Sequence, residues 1–528
     1  MYTPLQYRQP AKVSRFSSVT PTAGENFRQF SSLLKPEFAL KISNYLPDGE
    51  GKMSKRKGLN KIFEVAGTNP CRILGRFTST TIIFSYSTTV AYYNETTEVI
   101  TNIKTNFTAN TGFDGVRYGE YFFVCNGVDK IWRIDNAFAI AEVAAAPICK
   151  TLTVFGARLV AGNLSTDSSA TKYSEIDTGS NPPFTTWSNS ATASDGGLVS
   201  FRNAGAINEV VTLGDNVVVF ADNGKWAYQI NQVDSAGTIK KIDQTVIDRT
   251  DLGGNAAIVT DAGIFYINEG GLWQLSSLGQ SNIAYSDQEF DVTYLLGKDY
   301  FDDLDFTGSS LAFDNVNNRV VITCRSSSAS TNNYVIVYNV KTKAASRISG
   351  WAINNFFTDN DNTMWGSSSS ATKVYKCFRN YDDDGSLVGT EYYQELNIGD
   401  FNVEKTLQKF MLQCDLSLST ILEITFDTFD REGVFHEAVG GIYYMSVTNA
   451  TVEGLGYGAA FYTSSYGSSG GQEDGTLPVY DSYKPFLRNC QRIFVKIQTA
   501  DTLPHTINLF QAEIKEKSPI RVRNITVS

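Results

Sequence analysis

Residues 217–230 read Val217-Val218-Val219-Phe220-Ala221-Asp222-Asn223-Gly224-Lys225-Trp226-Ala227-Tyr228-Gln229-Ile230. The opening apolar run is what a strand buried on both faces looks like. Asp222-Asn223-Gly224 supplies residues that tolerate a tight reversal. Beyond the turn, Trp226, Tyr228 and Ile230 alternate with Lys225, Ala227 and Gln229, the period of a strand. The stretch predicts a β-hairpin whose first arm lies inside a core.

Working outward, the theme recurs. Cys125-Asn126-Gly127 leads to Ile131-Trp132-Arg133-Ile134, and Asp261-Ala262-Gly263 to Ile264-Phe265-Tyr266 and on to Trp273. Tyr334–Tyr338, Lys341-Thr342-Lys343 and the approach to Trp351 form another such hairpin. Seven short strands stand out, starting at Thr81, Tyr121, Arg158, Val217, Ala257, Arg319 and Thr363, so the steps between them are 40, 37, 59, 40, 62 and 44 residues. Four-stranded propeller blades recur at roughly 40–50 residues. An antiparallel sandwich would give the same hairpins; the spacing favours a propeller of six or seven blades over 51–395, with insertions in the two long steps.

The flanks differ. Residues 1–50 read as an irregular arm. From 396 to 528 the alternations Phe410/Leu412/Cys414, Leu422/Ile424/Phe426 and Ile493/Val495/Ile497 predict a separate antiparallel β-sandwich. Its middle, 437–486, is a long Gly/Tyr/Ser-rich loop. Ser286-Asp287-Gln288-Glu289 has the form of a capping box and predicts a helix over 287–296.

Composition agrees. The 528 residues carry 33 Phe, 27 Tyr and 42 Gly but only 13 Pro, which suits strands and tight turns. Hydrophobic residues at 42% and charged residues at 19% exclude a disordered chain. The net charge of −10 argues against a protein that grips nucleic acid by its phosphates. No secretory leader or membrane-spanning run is apparent. The seven cysteines are scattered, without a Cys-x-x-Cys pair, and read as buried thiols of a reducing cytoplasm.

Chemistry is sparse. His436 and His505 are the chain's two histidines, and neither has the neighbours of a nucleophilic site. Gly454-x-Gly456-x-Gly458 lacks the helix that phosphate-binding glycine motifs need. Asp359-Asn360-Asp361-Asn362 and Asp382-Asp383-Asp384-Gly385 fall short of a calcium loop and read as solvated turns. No catalytic residue, metal or cofactor is expected. Two groups are candidates for contacts. Lys52, Lys55, Arg56, Lys57 and Lys61 form the densest basic run, able to meet DNA phosphates or a partner. Tyr457, Phe461, Tyr462 and Tyr466, in the long loop, could gate a channel or clasp a neighbour.

Ile42-Ser43-Asn44-Tyr45-Leu46-Pro47, Gly51-Lys52-Met53 and Lys55-Arg56-Lys57-Gly58-Leu59 resemble the opening of packaged-DNA stabilisation proteins, the tail nozzle or hub of short-tailed phages. Those proteins often carry Pro before the glycine, where this chain has Lys57. Phe155–Ala161, Val211–Phe220 and Arg492–Ile497 follow in the same order as further points of similarity. The resemblance implies a non-enzymatic virion protein made in the host cytoplasm. It implies a homo-oligomeric, hexameric ring below the portal and adaptor, contacting tail-fibre or tail-tip proteins. Double-stranded DNA would be retained by the ring and touched transiently as it passes, with no membrane insertion by this chain. An acidic channel wall would let phosphate slide. Two rivals remain at this level: a carbohydrate-binding or carbohydrate-cleaving propeller such as a phage adhesin, with Trp187 as its exposed aromatic platform, and a cytoplasmic scaffold.

Overall fold

The computed structural model describes residues 13–19, 24–26, 38–47, 52–67, 69–108, 112–188, 195–231, 241–248, 256–268, 270–275, 289–291, 303–396, 403–417, 419–430, 432–446, 477–485 and 487–516. Every regular element among them is a β-strand.

Seven antiparallel four-strand units are found among the described residues. Blade 1 runs from Cys71–Thr78 to Val99–Lys104, blade 2 from Asp114–Tyr118 to Ile140–Glu142, blade 3 from Cys149–Phe155 to Gly197–Ser200 and blade 4 from Ile207–Leu213 to Lys241–Asp248. Blade 5 runs from Ala256–Thr260 to Glu289–Asp291, and blade 6 from Leu304–Asp314 to Ala344–Ile348. Blade 7 takes three strands from Ile353–Cys377 and a fourth from far upstream: Leu59–Glu64 pairs antiparallel with Lys373–Cys377. The first strand of each blade touches the first strand of the next, and blade 7 touches blade 1, so the ring is closed. This is a seven-bladed propeller, closed by one strand from before the repeats.

The quoted stretch shows why a blade's second strand is wholly apolar. Val217 and Val219 pack toward blade 3 with Val160, Trp226 and Tyr228. Val218 and Phe220 pack toward blade 5 with Ile264, Tyr266 and Leu275. Both parities are buried, so alternation disappears and every side chain contributes burial, about 25 cal/mol per Å² of apolar surface.

Six of the seven strands picked from the sequence are second strands of blades; the one at Ala257 is a first strand. The second strand of blade 5 is Gly263–Asn268. Measured from true second strands, at 216, 263 and 319, the steps become 47 and 56 residues instead of 40 and 62. The expected helix at 287–296 is also corrected where it can be seen: Glu289–Asp291 is the outer strand of blade 5, paired with Trp273–Leu275. A local capping signal loses there to an available sheet edge.

The rest of the chain builds the sandwich. One sheet pairs Leu477–Tyr483, Lys405–Leu416, His505–Glu516, Met53–Lys55 and Tyr45–Pro47, with Val13–Val19 along His505–Glu516 and Leu487–Cys490 along Lys405–Leu416. The facing sheet runs Lys41–Ser43, Val388–Glu395, Arg492–Asp501, Ile421–Phe429 and on to Phe435–His436 and Tyr443–Ser446. Between them lie Tyr45, Met53, Tyr392, Phe410, Phe426, Val495 and Phe510, all buried. The arm expected over 1–50 thus contributes strands to the sandwich, and the sandwich begins before 396, at Val388–Glu395. Four of the arm's five strands have only two or three residues and carry no period, so most of its role is invisible locally. The facing sheet also continues into blade 6, through a parallel bridge between Ser43 and Arg347.

Candidate functional site

The basic run lies where propeller and sandwich join, and the structure divides it in two. Met53–Lys55 is a sandwich strand, and its neighbour Arg56 turns inward toward blades 6 and 7. Arg56 Nη1 donates to Asp383 Oδ1 at 2.8 Å and Nη2 to Asp383 Oδ2 at 2.5 Å, a two-pronged ion pair. Its Nε donates to Asn44 Oδ1 at 2.8 Å, and Nη2 also to the Ser349 carbonyl at 3.1 Å. The guanidinium sits 4.8 Å over the Trp351 ring, whose Nε1 donates to the same Asp383 at 2.7 Å. The Arg56 side chain has 0% exposure. Such a cation is held only because most of its donors are met.

Lys55 is likewise buried, paired with Asp501 and donating to that residue's carbonyl at 2.6 Å. Burial pulls its amine below the usual lysine range, against the opposing pull of Asp501. Beside it Tyr45 Oη meets His505 Nε2 at 2.8 Å, and burial lowers the imidazole to about 4. Gly58 completes the joint: a Cβ there would collide with the Asp382 carbonyl.

These contacts correct the sequence reading. Lys55 and Arg56 are structural and offer no surface to DNA or a partner. Lys57 and Lys61 are exposed, and Lys52 is partly so. Lys57 lies 5.8 Å over Tyr381, and Lys61 pairs loosely with Glu64 at 3.6 Å. The acidic turns are corrected too. Asp383 anchors Arg56, while Asp359 is buried and accepts from Trp365 Nε1 at 2.9 Å and Arg76 Nη2 at 2.6 Å. Burial opposes ionisation of Asp359, but these donors outweigh it and hold the carboxyl below its ordinary value. Trp187, expected as an exposed platform, is 3% exposed, its Nε1 donating to the Phe184 carbonyl at 3.0 Å. Tyr457, Phe461, Tyr462 and Tyr466 lie outside the described residues. His436 is exposed and bonded to Asp430 at 2.9 Å. All seven cysteines are buried free thiols.

A second cluster went unnoticed in the sequence. The innermost strands of adjacent blades are tied by side chains that bond the next strand's backbone. Asp114 Oδ2 accepts from Leu152 N at 2.8 Å, and Asn355 caps both the N–H and the carbonyl of Ile73, at 3.0 and 2.8 Å. Around Asp114 gather Thr151 and Glu209, with Arg72 near, from the first strands of blades 1 to 4. Thr151 Oγ1 donates to Glu209 Oε1 at 3.4 Å. Burial, reinforced by the Asp114 charge and opposed by Arg72, raises the Glu209 carboxyl to about 8. Two buried acids thus lie on the inner strands of the propeller, and burial raises both carboxyls above their ordinary range. Among the described residues, no group of three or more His, Cys, Asp or Glu is arranged to hold a metal ion. No helix among them is long and apolar enough to cross a membrane.

No protein-family model and no curated protein matches the chain. Among solved structures, the extracellular domain of BT4673 from B. thetaiotaomicron aligns at 13% identity and TM-score 0.40, over 74% of this chain and 46% of that one. The present chain therefore spans less than half of that structure. A computationally designed protein, Ika8, aligns at 12% identity and TM-score 0.36, over 64% of this chain and 96% of its own. The mitotic checkpoint complex aligns at 10% identity and TM-score 0.37, over 61% of this chain and 95% of the matched chain.

Proposed function

We propose that this chain is the nozzle subunit of a short-tailed phage tail, forming a ring that retains packaged DNA and conducts it during ejection. One observation carries the reading. Of the residues that resemble packaged-DNA stabilisation proteins, Asn44, Arg56 and Gly58 join the sandwich to the propeller, and Tyr45, Met53 and Lys55 pack the sandwich beside them. A motif of this kind is a signature of architecture, a propeller clamped rigidly to a sandwich. Rigidity suits a part that holds back a pressurised genome.

In this reading DNA does not run through the propeller. The inner strands of blades 2 and 4 carry the buried carboxyls of Asp114 and Glu209, which would repel a phosphate backbone. The channel would lie between copies around a ring. A subunit of net charge −10 lets phosphate slide past without sticking. The exposed Lys57 and Lys61, with the partly exposed Lys52, are the residues of the run that would dock an adaptor or portal.

Immunogold labelling of virus particles from the source culture tests the proposal, together with native mass measurement of the purified chain. Label at the tail end and a six-fold assembly are the expected results. Label on lateral fibres, or none on particles, overturns it.

A further inference from the structure

The sheet of the sandwich that continues into blade 6 carries a groove of about 500 Å³ on its outward face. That volume is within the range of small-ligand sites, roughly 300–1,000 Å³. One row of residues in register forms it. Ser43 stands opposite Glu391, Glu391 opposite Gln498, Gln498 opposite Glu423, and Glu423 opposite Tyr444. Five strands, spaced about 4.8 Å apart, each place one polar side chain on that line. The opposite parity, Tyr392, Leu422, Ile424 and Ile497, fills the core. The row therefore faces away from the sandwich interior.

Gly389 shows that the groove is kept open. It lies inside the strand Val388–Glu395, whose pairing with Arg492–Asp501 runs without a bulge. Its φ is not in the left-handed region, and a Cβ there would meet only the Thr499 carbonyl, at 3.9 Å. Neither turn, bulge nor crowding calls for glycine, which costs a strand stability. A residue without a side chain there leaves the floor of the groove open to a ligand.

The chemistry indicates what approaches. Lys41 Nζ already sits 2.6 Å from Glu391, and Gln498 Nε2 donates to Glu423 Oε1 at 2.7 Å. The row thus offers carboxylate acceptors, an amide that both donates and accepts, a phenol and a serine hydroxyl. Tyr444 and Ile421, 51% and 54% exposed, stand at the edge as apolar walls. We propose that this groove binds a neutral saccharide. Neighbouring hydroxyls donate and accept along the row, and the C–H face of the ring lies on Tyr444 and Ile421. Two carboxylates repel an acidic sugar, and Lys41 occupies the place a cationic ligand would take at Glu391.

The inference does not rest on the nozzle reading. A nozzle without glycan affinity, and a glycan binder absent from virions, are separately observable. The test is retention of the full chain on immobilised neutral oligosaccharides, acidic oligosaccharides and an arginine-rich peptide. The wild type is expected on at least one neutral glycan. Gly389→Trp, which fills open space, and Gln498→Ala, which leaves the packing intact, are each expected to weaken that binding by about tenfold or more with an unchanged melting temperature. Should Gly389→Trp fail to fold, Gln498→Ala and Tyr444→Ala decide alone. No retention on neutral glycans, retention only on the peptide or on acidic sugars, or unchanged binding by folded variants overturns the proposal.

Discussion

Arg56 and Asp383, 327 residues apart in sequence, form a two-pronged ion pair with 0% and 14% of their side chains exposed. The pair closes a triangle. Arg56 follows a strand of the sandwich, Asp383 follows the last repeat strand of the propeller, and Trp351 at the start of blade 7 donates to one member and covers the other.

Breaking that pair from one side leaves a buried charge uncompensated. Asp383→Ala should cost about 3–5 kcal/mol of unfolding free energy in urea titration, with Arg56→Ala similar. The double variant Arg56→Met, Asp383→Leu should recover much of the loss, because no lone charge remains. A double variant no better than the worse single one would contradict this account of the joint.

The inner strands of the propeller should be sensitive to alkali. Burial raises the folded Glu209 carboxyl to about 8, well above the ordinary glutamate range, so the folded state holds a proton the unfolded chain has released. The folded state binds more protons across that window. Its contribution is present in full below the unfolded value and is lost as pH rises through the folded one. Glu209→Gln, neutral at every pH, should remove that slope and melt at a higher temperature than the wild type at about pH 9. Identical melting profiles from pH 5 to pH 9, roughly the window concerned, would refute it.

The sandwich should be sensitive to acid. Burial lowers His505 to about 4 from 6.5, so the folded state holds it neutral while the unfolded chain takes up a proton. Stability from this group is present above the unfolded value and falls as pH drops toward the folded one. His505→Gln should flatten that acid limb, at some cost in stability at neutral pH from the altered contact with Tyr45. A wild-type stability that does not fall between about pH 6.5 and pH 4 would count against it.

The basic run should separate cleanly on mutation. Reversing Lys57 and Lys61 to Glu should change stability by less than about 0.5 kcal/mol, since these side chains lie at the surface, and adding Lys52→Glu, at a partly exposed position, should leave the fold intact. The triple reversal should nevertheless abolish attachment of the chain to portal–adaptor complexes in a pull-down. Reversing Lys55 or Arg56 should instead unfold the joint, seen as lost cooperativity in thermal melting. Normal attachment by the triple variant would remove these lysines from the docking surface.

Strand Leu59–Glu64 should control closure of the ring. Phe63 is buried on it among Phe84, Tyr93 and Trp365, stacked on Tyr93 at 4.5 Å. Phe63→Ala should cost about 3–5 kcal/mol and speed proteolysis within blades 7 and 1 before the sandwich is cut. Cleavage spread evenly over the chain would argue against a ring fastened at this strand.

What the sequence by itself determined was the unit: an all-β chain of repeated hairpins, with Val217–Ala221 buried on both faces and an alternating C-terminal sandwich. These are local properties, set by apolar periodicity and turn residues within a few positions of each other. Only the tertiary structure decided the rest. Leu59–Glu64 closes the ring, residues 38–47 belong to the sandwich, Asp114 and Glu209 come together on the inner strands, and Ser43, Glu391, Gln498, Glu423 and Tyr444 share one row. A charged side chain in sequence looks the same whether solvated, like Lys57, or buried, like Arg56. The difference lies in Asp383 and Trp351, hundreds of residues away, and only folding brings them within hydrogen-bond and stacking distance.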